Sequence, residues 1–207
     1  MSEAETYWAE RYGHKMGVEH HSKQNADITE DFMLRLKYLD VADSGAKIAH
    51  EIRAAKKIIE VGCGTGELSA ALKKRCKCEV VGTDLSQHAV LAARDKHPGM
   101  RFETLNILTD NLEKFGKFDL AVSSNTLEHF KNPYAVIERM FFLSSRLLFV
   151  VPYNQPLADG YEDEGGAGHV FTFTKRTFSR YRVLDEFMFE TKGWQHSSKG
   201  EKPMQYA

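Results

Sequence analysis

The stretch Glu60-Val61-Gly62-Cys63-Gly64-Thr65-Gly66-Glu67 constrains this chain more than any other. Lys57 to Val61 has the composition of a buried strand, and Glu67 to Arg75 carries Leu68, Ala71 and Leu72 at helical spacing. Three glycines at alternate positions exceed what a tight strand-to-helix turn needs. They leave the backbone open to close approach by a ligand. A dinucleotide fingerprint has its third glycine one position later, where this chain has Glu67. An acid at a helix N-terminus opposes a pyrophosphate. The loop therefore points to a nucleoside ligand without phosphates rather than to a nicotinamide or flavin.

Short apolar runs alternate with helical stretches on either side of the loop. Further strands are expected at Glu79–Gly82, Arg101–Leu105, Phe118–Val122 and Leu147–Val151. A helix capped by Ser86 carries Val90, Ala93 and Arg94 and stops at His97-Pro98-Gly99; another starts at Pro133 and reaches Leu143. Val183–Glu190 reads as extended, and Pro203–Ala207 as the start of a last strand. Nearly continuous apolar strands separated by helices predict an α/β fold, a doubly wound, mainly parallel sheet with helices on both faces. Ligands of such sheets bind beyond the carboxyl ends of the strands. Residues 1–54 read as an N-terminal arm and helices over the pocket, with a break at Asp43-Ser44-Gly45, and 55–207 as one binding domain. Residues 1–25 hold Tyr7, Trp8, Tyr12, His14, His20 and His21, a set that makes no core alone.

With 28 Lys and Arg against 29 Asp and Glu, the net charge is -1. No global basic field for nucleic acid or anionic membrane exists. The one dense basic cluster, Lys73, Lys74, Arg75 and Lys77, falls at the back of the first sheet helix and reads as a solvated face. No apolar run approaches the roughly 20 residues that span a bilayer. The polar, acidic first thirty residues argue against export and for a cytoplasmic protein. Three cysteines, Cys63, Cys76 and Cys78, with no C-x-x-C pair, point away from a disulfide scaffold and towards a reducing compartment.

Asp84 closes the second strand, 18 residues after Gly66. A carboxylate there can accept hydrogen bonds from both ribose hydroxyls, or cap the next helix. After the third strand, Asn106 can accept from an adenine amino group, and the Ile107 N–H can donate to the ring. Together Glu60–Gly66, Gly82-Thr83-Asp84-Leu85-Ser86 and Phe118–His129 resemble successive motifs of class I S-adenosylmethionine-dependent methyltransferases. The resemblance covers about residues 55–155. It implies a seven-stranded Rossmann-like fold, S-adenosylmethionine as cofactor, and a pocket of Glu60, Gly62, Cys63, Gly64, Gly66, Asp84, Leu85, Asn106, Ile107 and Asn125. In this implied pocket Glu60 orients the loop or the amino group, Asp84 holds the ribose and Leu85 packs on adenine. Asn106 stands where the family more often has Asp. Tyr7-Trp8 and Tyr12 resemble the aromatic segment that small-molecule members fold over the pocket.

Methyl transfer to a hydroxyl needs a group that takes the proton, and less so for a neutral amine. The candidates are Glu128 and His129, just past the fourth strand, and His169 in a glycine-flanked loop after the fifth. Each also has a structural role open to it: buttressing a loop, covering the cofactor or latching the Asp159–Gly168 loop. One carboxylate and two His suit a divalent cation too. That pattern is similar to the metal-assisted O-methyltransferases of ubiquinone biosynthesis and small-RNA ends, which carry Glu-x-x-Glu-His; Asn125 replaces the first Glu, so no metal ligand is assigned. The expected function is methyl transfer to an O or N atom of a small-molecule acceptor. The alternatives are a metal-assisted O-methyltransferase on a quinone precursor or RNA end, and a cofactor-binding member without activity. Nucleic acid and membrane are not expected partners, and the oligomeric state is left open.

Overall fold

The computed structural model describes residues 3–13, 15–38, 45–154, 168–191 and 204–207. Seven strands form one sheet in the order β3-β2-β1-β4-β5-β7-β6. They are β1 (Lys57–Val61), β2 (Glu79–Asp84), β3 (Arg101–Thr104), β4 (Leu120–Ser124), β5 (Leu147–Pro152), β6 (Met188–Glu190) and β7 (Met204–Tyr206). The first five are mutually parallel, and β7 runs antiparallel to both β5 and β6. The strand order turns back between β1 and β4, which opens a crevice at their carboxyl ends.

Alternation along the central strands divides the apolar residues between two faces. Ile58, Val80, Val122 and Val150 pack under helices α2 (Lys15–Tyr38), α3 (Ala46–Ala54) and α4 (Glu67–Cys76). Ile59, Val81, Ala121 and Val151 pack on the other face against Val136, Ile137 and Met140 of α6 (Pro133–Phe141). Helix α5 (Gln87–Lys96) closes a third cluster of Cys63, Val90, Ala93 and Phe102. Ser86 caps α5, accepting from the Ala89 N–H at 3.3 Å, as expected. Arg94, on the same helix, donates to the Phe102 carbonyl at the edge of β3.

Three expectations need correction. The first concerns residues 1–25, read as an arm: α1 (Glu3–Tyr12) and the first half of α2 are helices there. Helix α2 enters the core with Ile28, Phe32 and Leu36, and Phe32 stacks on Phe187 at 6.0 Å. Its first half turns polar residues, including His21 and Ser22, towards the body, so hydrophobic periodicity is silent there. The expected break at 43–44 lies outside the described residues.

The second is β4, which begins and ends two residues later than Phe118–Val122. The Asp119 carboxylate accepts from the Lys56 and Lys57 N–H groups at 2.8 and 2.9 Å and so joins the starting ends of the central strands β1 and β4. Ser123, polar in sequence, is buried and donates to the Val61 carbonyl at 2.8 Å. The third is the cysteines. Cys76 and Cys78 are joined by a disulfide. Lys77, at φ 56°, turns the chain so that a pair only two residues apart can close. No helix among the described residues is long and apolar enough to cross a membrane.

Candidate active site

The loop from Gly62 to Gly66 leaves β1 with all three glycines at positive φ: 79°, 53° and 85°. Gly62 and Cys63 both donate to the Thr83 carbonyl, and Gly66 donates to the Cys63 carbonyl at 2.8 Å. A Cβ on Gly62 would lie 2.2 Å from Thr126 Oγ1, so side chains are excluded there by contact as well as by backbone. Cys63 is a buried, free thiol, and burial holds its pKa well above the ordinary range, so it stays protonated.

The Asp84 carboxylate binds the loop itself. Oδ2 accepts from the Gly64 N–H at 2.8 Å and Oδ1 from the Ser86 N–H at 2.9 Å. Burial pushes its pKa up, and these two N–H groups pull it back. Each oxygen keeps acceptor capacity for a further donor. Leu85, beside it, is half-buried.

Glu60 is buried under the loop and accepts from the Ser69 hydroxyl. Burial raises its pKa from 4.5 to about 8, against the pull of that hydroxyl. The native state therefore keeps a proton that the unfolded chain releases. The resulting stability is full below about pH 4.5 and is lost as pH rises towards 8. Glu60→Gln is expected to flatten this fall. Unfolding titrations at pH 5, 6.5 and 8 should show the variant gaining on wild type as pH rises; parallel profiles would count against a protonated Glu60.

On the adenine side of the expected pocket, the Asn106 side-chain oxygen accepts from the Leu108 N–H at 3.1 Å, and its N–H donates to Asp110. Ile107 is buried, and its carbonyl accepts from Arg139 Nε at 2.9 Å. Asn125 ends β4 at φ 46°; its N–H donates to the Val150 carbonyl, and its buried side-chain oxygen accepts no hydrogen bond in the described residues.

Glu128, His129 and His169 do come together. One ligating atom from each lies within 4.8 Å of the others. Glu128 is fully buried; its carbonyl accepts from the Val170 and Phe171 N–H groups, which draws the His169 segment onto the short turn Leu127–His129. Neither carboxylate oxygen of Glu128 accepts a hydrogen bond among the described residues, and His169 Nε2 lies 3.8 Å from Oε1. Burial raises the Glu128 pKa to about 8. Burial, and then the neighbouring His169, push His129 down to about 3, so its ring is neutral. Its Nδ1 faces the Gly168 carbonyl at 3.3 Å. Most of the Asp159–Gly168 loop lies outside the described residues.

Trp8 and Tyr12 of the aromatic arm lie against the site, and other residues there were not singled out from the sequence. Tyr12, noted only as part of the aromatic arm, and Asn25 of α2 sit over the glycine loop: a Cβ on Gly64 would meet Asn25 Nδ2 at 2.8 Å and the Tyr12 hydroxyl at 3.0 Å. Trp8 meets the His129 ring edge-on at 4.8 Å. Thr126 donates to the Ser124 carbonyl at 3.0 Å and covers Gly62. Glu67, read only as an obstacle to phosphate, accepts from Thr65, Ser22 and Lys96, at 2.6 Å from the lysine. That cluster pins α2 to the start of α4, where a carboxylate is favoured by the helix N-terminus. Between arm and loop only about 10 Å³ is open, lined by Asn25, Ile28, Thr29, Glu60, Gly62, Cys63, Leu68 and Ser124. A nucleoside seated on the loop must displace the arm.

Comparison with known proteins points to methyltransferases. The ubiquinone biosynthesis O-methyltransferase of Psychrobacter arcticus is 28% identical over 131 residues, covering 57% of this chain and 51% of that protein. Its counterpart in Pseudomonas aeruginosa is 32% identical over 88 residues, covering 41% of this chain and 38% of that protein. The chain thus spans about half or less of the length of these curated relatives. The magnesium protoporphyrin IX methyltransferase of Synechocystis PCC 6803 shares the fold, with a TM-score of 0.59 at 16% identity, over 99% of this chain and 94% of that one. A family model described as a methyltransferase domain matches residues 33–182. That match takes in both the glycine loop and the Glu128–His169 cluster, and the chain belongs to the methyltransferase domain family.

Proposed function

We propose that this chain is an S-adenosylmethionine-dependent methyltransferase acting on an oxygen or nitrogen atom of a small-molecule acceptor. One observation carries the reading: a glycine loop anchored by Asp84 and a buried carboxylate flanked by two histidines follow the carboxyl ends of the adjacent parallel strands β1 and β4. The residues fit the cofactor. Three glycines hold the loop at positive φ with its backbone bare of side chains, and the buried Asn125 side-chain oxygen has no donor among the described residues. The Synechocystis structures hold S-adenosylhomocysteine or S-adenosylmethionine, in line with this choice.

When bound, the cofactor supplies an electrophilic methyl group together with its own leaving group. The chain's share is alignment and proton handling. The loop backbone and Glu60 hold the methionine end, Asp84 the ribose, and Leu85, Asn106 and Ile107 the adenine end. His169 accepts the proton of a hydroxyl acceptor, Glu128 beside it holds a proton up to about pH 8 and orients the imidazole, and His129 positions the Gly168 segment through the Gly168 carbonyl. The basic cluster sits at the far end of α4 from the loop, about 15 Å along a ten-residue helix, which favours a small acceptor over nucleic acid. A cytoplasmic setting remains part of the proposal.

A second reading rests on Glu128, whose two oxygens have no donor among the described residues and lie beside two imidazoles. A divalent cation held by Glu128, His129 and His169 would satisfy them and acidify an acceptor hydroxyl. It requires an ion that survives dialysis and is removed by a chelator.

The test of the main reading is thermal. S-adenosylmethionine and S-adenosylhomocysteine are each expected to raise the Tm, and NAD is not. Asp84→Ala should reduce the shift and also cost stability, since its carboxylate accepts from the Gly64 and Ser86 N–H groups and hydrogen bonds to a charged group contribute about 1.5–3 kcal/mol each. Tight NAD binding with none of the sulfonium would overturn the assignment.

A further inference from the structure

The segment Lys73-Lys74-Arg75-Cys76-Lys77-Cys78 takes no part in the site above. Helix α4 ends at Cys76, and Lys77 forms a left-handed cap at φ 56°, ψ 34°, donating its N–H to the Lys73 carbonyl. This turn leaves the Cα atoms of Cys76 and Cys78 5.2 Å apart, inside the span a disulfide bridges, and their sulfurs are bonded. Both side chains are half-buried at the rim of the core beneath α2, with Lys73, Lys74 and Lys77 exposed around them.

We propose that Cys76 and Cys78 form a reversible dithiol–disulfide couple that exchanges with small-molecule disulfides. In the oxidising direction, the thiolate of one cysteine attacks a sulfur of the external disulfide and expels one thiolate. The other cysteine thiolate then attacks its neighbour's own sulfur in the mixed disulfide, forming the Cys76–Cys78 bond and expelling the second external thiolate. The two cysteine protons end on the two released thiols, the protein loses two electrons, and the external disulfide gains them.

Three observations support this. First, a single residue separates the cysteines, so ring closure moves no element. A link this short constrains the unfolded chain less than any longer loop, so its loss costs the fold less than that of a longer-range bond. Second, Lys73, Lys74, Arg75 and Lys77 favour thiolate over thiol. The carbonyl end of α4 acts against them, but the Lys73 carbonyl is capped by Lys77, and the Glu79 carboxylate is paired with Lys57 at 3.6 Å. Third, partial exposure admits a small disulfide, whereas Cys63 is buried.

The test uses the full chain in buffers of reduced and oxidised glutathione, followed by alkylation of free thiols and mass measurement. Cys76 and Cys78 are expected to be labelled together in reducing mixtures and protected together in oxidising ones, with far-UV circular dichroism unchanged throughout. Cys76→Ser should leave Cys78 to gain one glutathione and form no internal bond. Two free thiols at the most oxidising ratio, or a bond that survives a large excess of reduced glutathione, would overturn the proposal. Loss of folded structure on reduction would also overturn it, because the bond would then be structural.

Discussion

Gly62→Ala is expected to lose cofactor binding and about 2–5 kcal/mol of stability. About 1–2 kcal/mol comes from placing an L side chain at φ 79°, and 1–3 from forcing its Cβ against Thr126, whose Oγ1, Cγ2 and Cβ would lie 2.2, 2.4 and 2.8 Å away. That is a large part of the 5–15 kcal/mol by which a domain is typically stable. Gly99 separates the two causes. It has φ 82° but open space around it, so Gly99→Ala carries only the backbone cost. In urea titrations Gly62→Ala should fall well below Gly99→Ala, and adding Thr126→Gly should recover the difference, measured against Thr126→Gly alone. Equal losses at the two glycines would show that contact with Thr126 is unimportant.

His169→Ala and Glu128→Ala should each lower turnover by about a hundredfold or more, with cofactor affinity near wild type. The two side chains meet at 3.8 Å in a site where neither carboxylate oxygen has another donor among the described residues. If they handle one proton together, the double variant should be scarcely worse than either single one. If His169 only holds its loop, the acceptor KM should rise instead, and the losses should multiply. If the cluster binds a cation, His129→Ala should fall with the other two, and added metal should partly restore them. Unchanged turnover in both single variants would remove the pair from the chemistry.

What was legible in the sequence follows from what side chains must do. The glycine loop could be read because three positive φ angles call for three glycines, and the strands because both their faces are buried. Strand β4 slipped by two residues because buried Ser123 is polar yet satisfied, and because Asp119 acts on a neighbouring strand far away in sequence. The helices at the start of the chain were missed because the inward face of α2 is partly polar there. His21, Ser22 and Asn25 look like solvent-facing residues until Tyr12, Glu67 and Gly64 are placed against them. Nothing in a lone Thr126 marks it as the lid on a glycine. The Cys76–Cys78 bond needs a left-handed residue between them, and Lys77 gives no compositional hint of one.

The Ser22–Glu67–Lys96 cluster ties the arm's grip to ionic strength. Glu67 is nearly sealed off, but the lysine side chain is 42% exposed, so its half of the ion pair is open to screening. Any ligand leaving the glycine loop must wait for Asn25 of α2 and Tyr12 of α1 to lift from it, and lifting α2 breaks the bonds from Ser22 and Lys96 that hold it down. Salt should therefore quicken product release more than it weakens binding of the acceptor. If release limits the cycle, the maximal rate will climb with added salt before the fold begins to suffer.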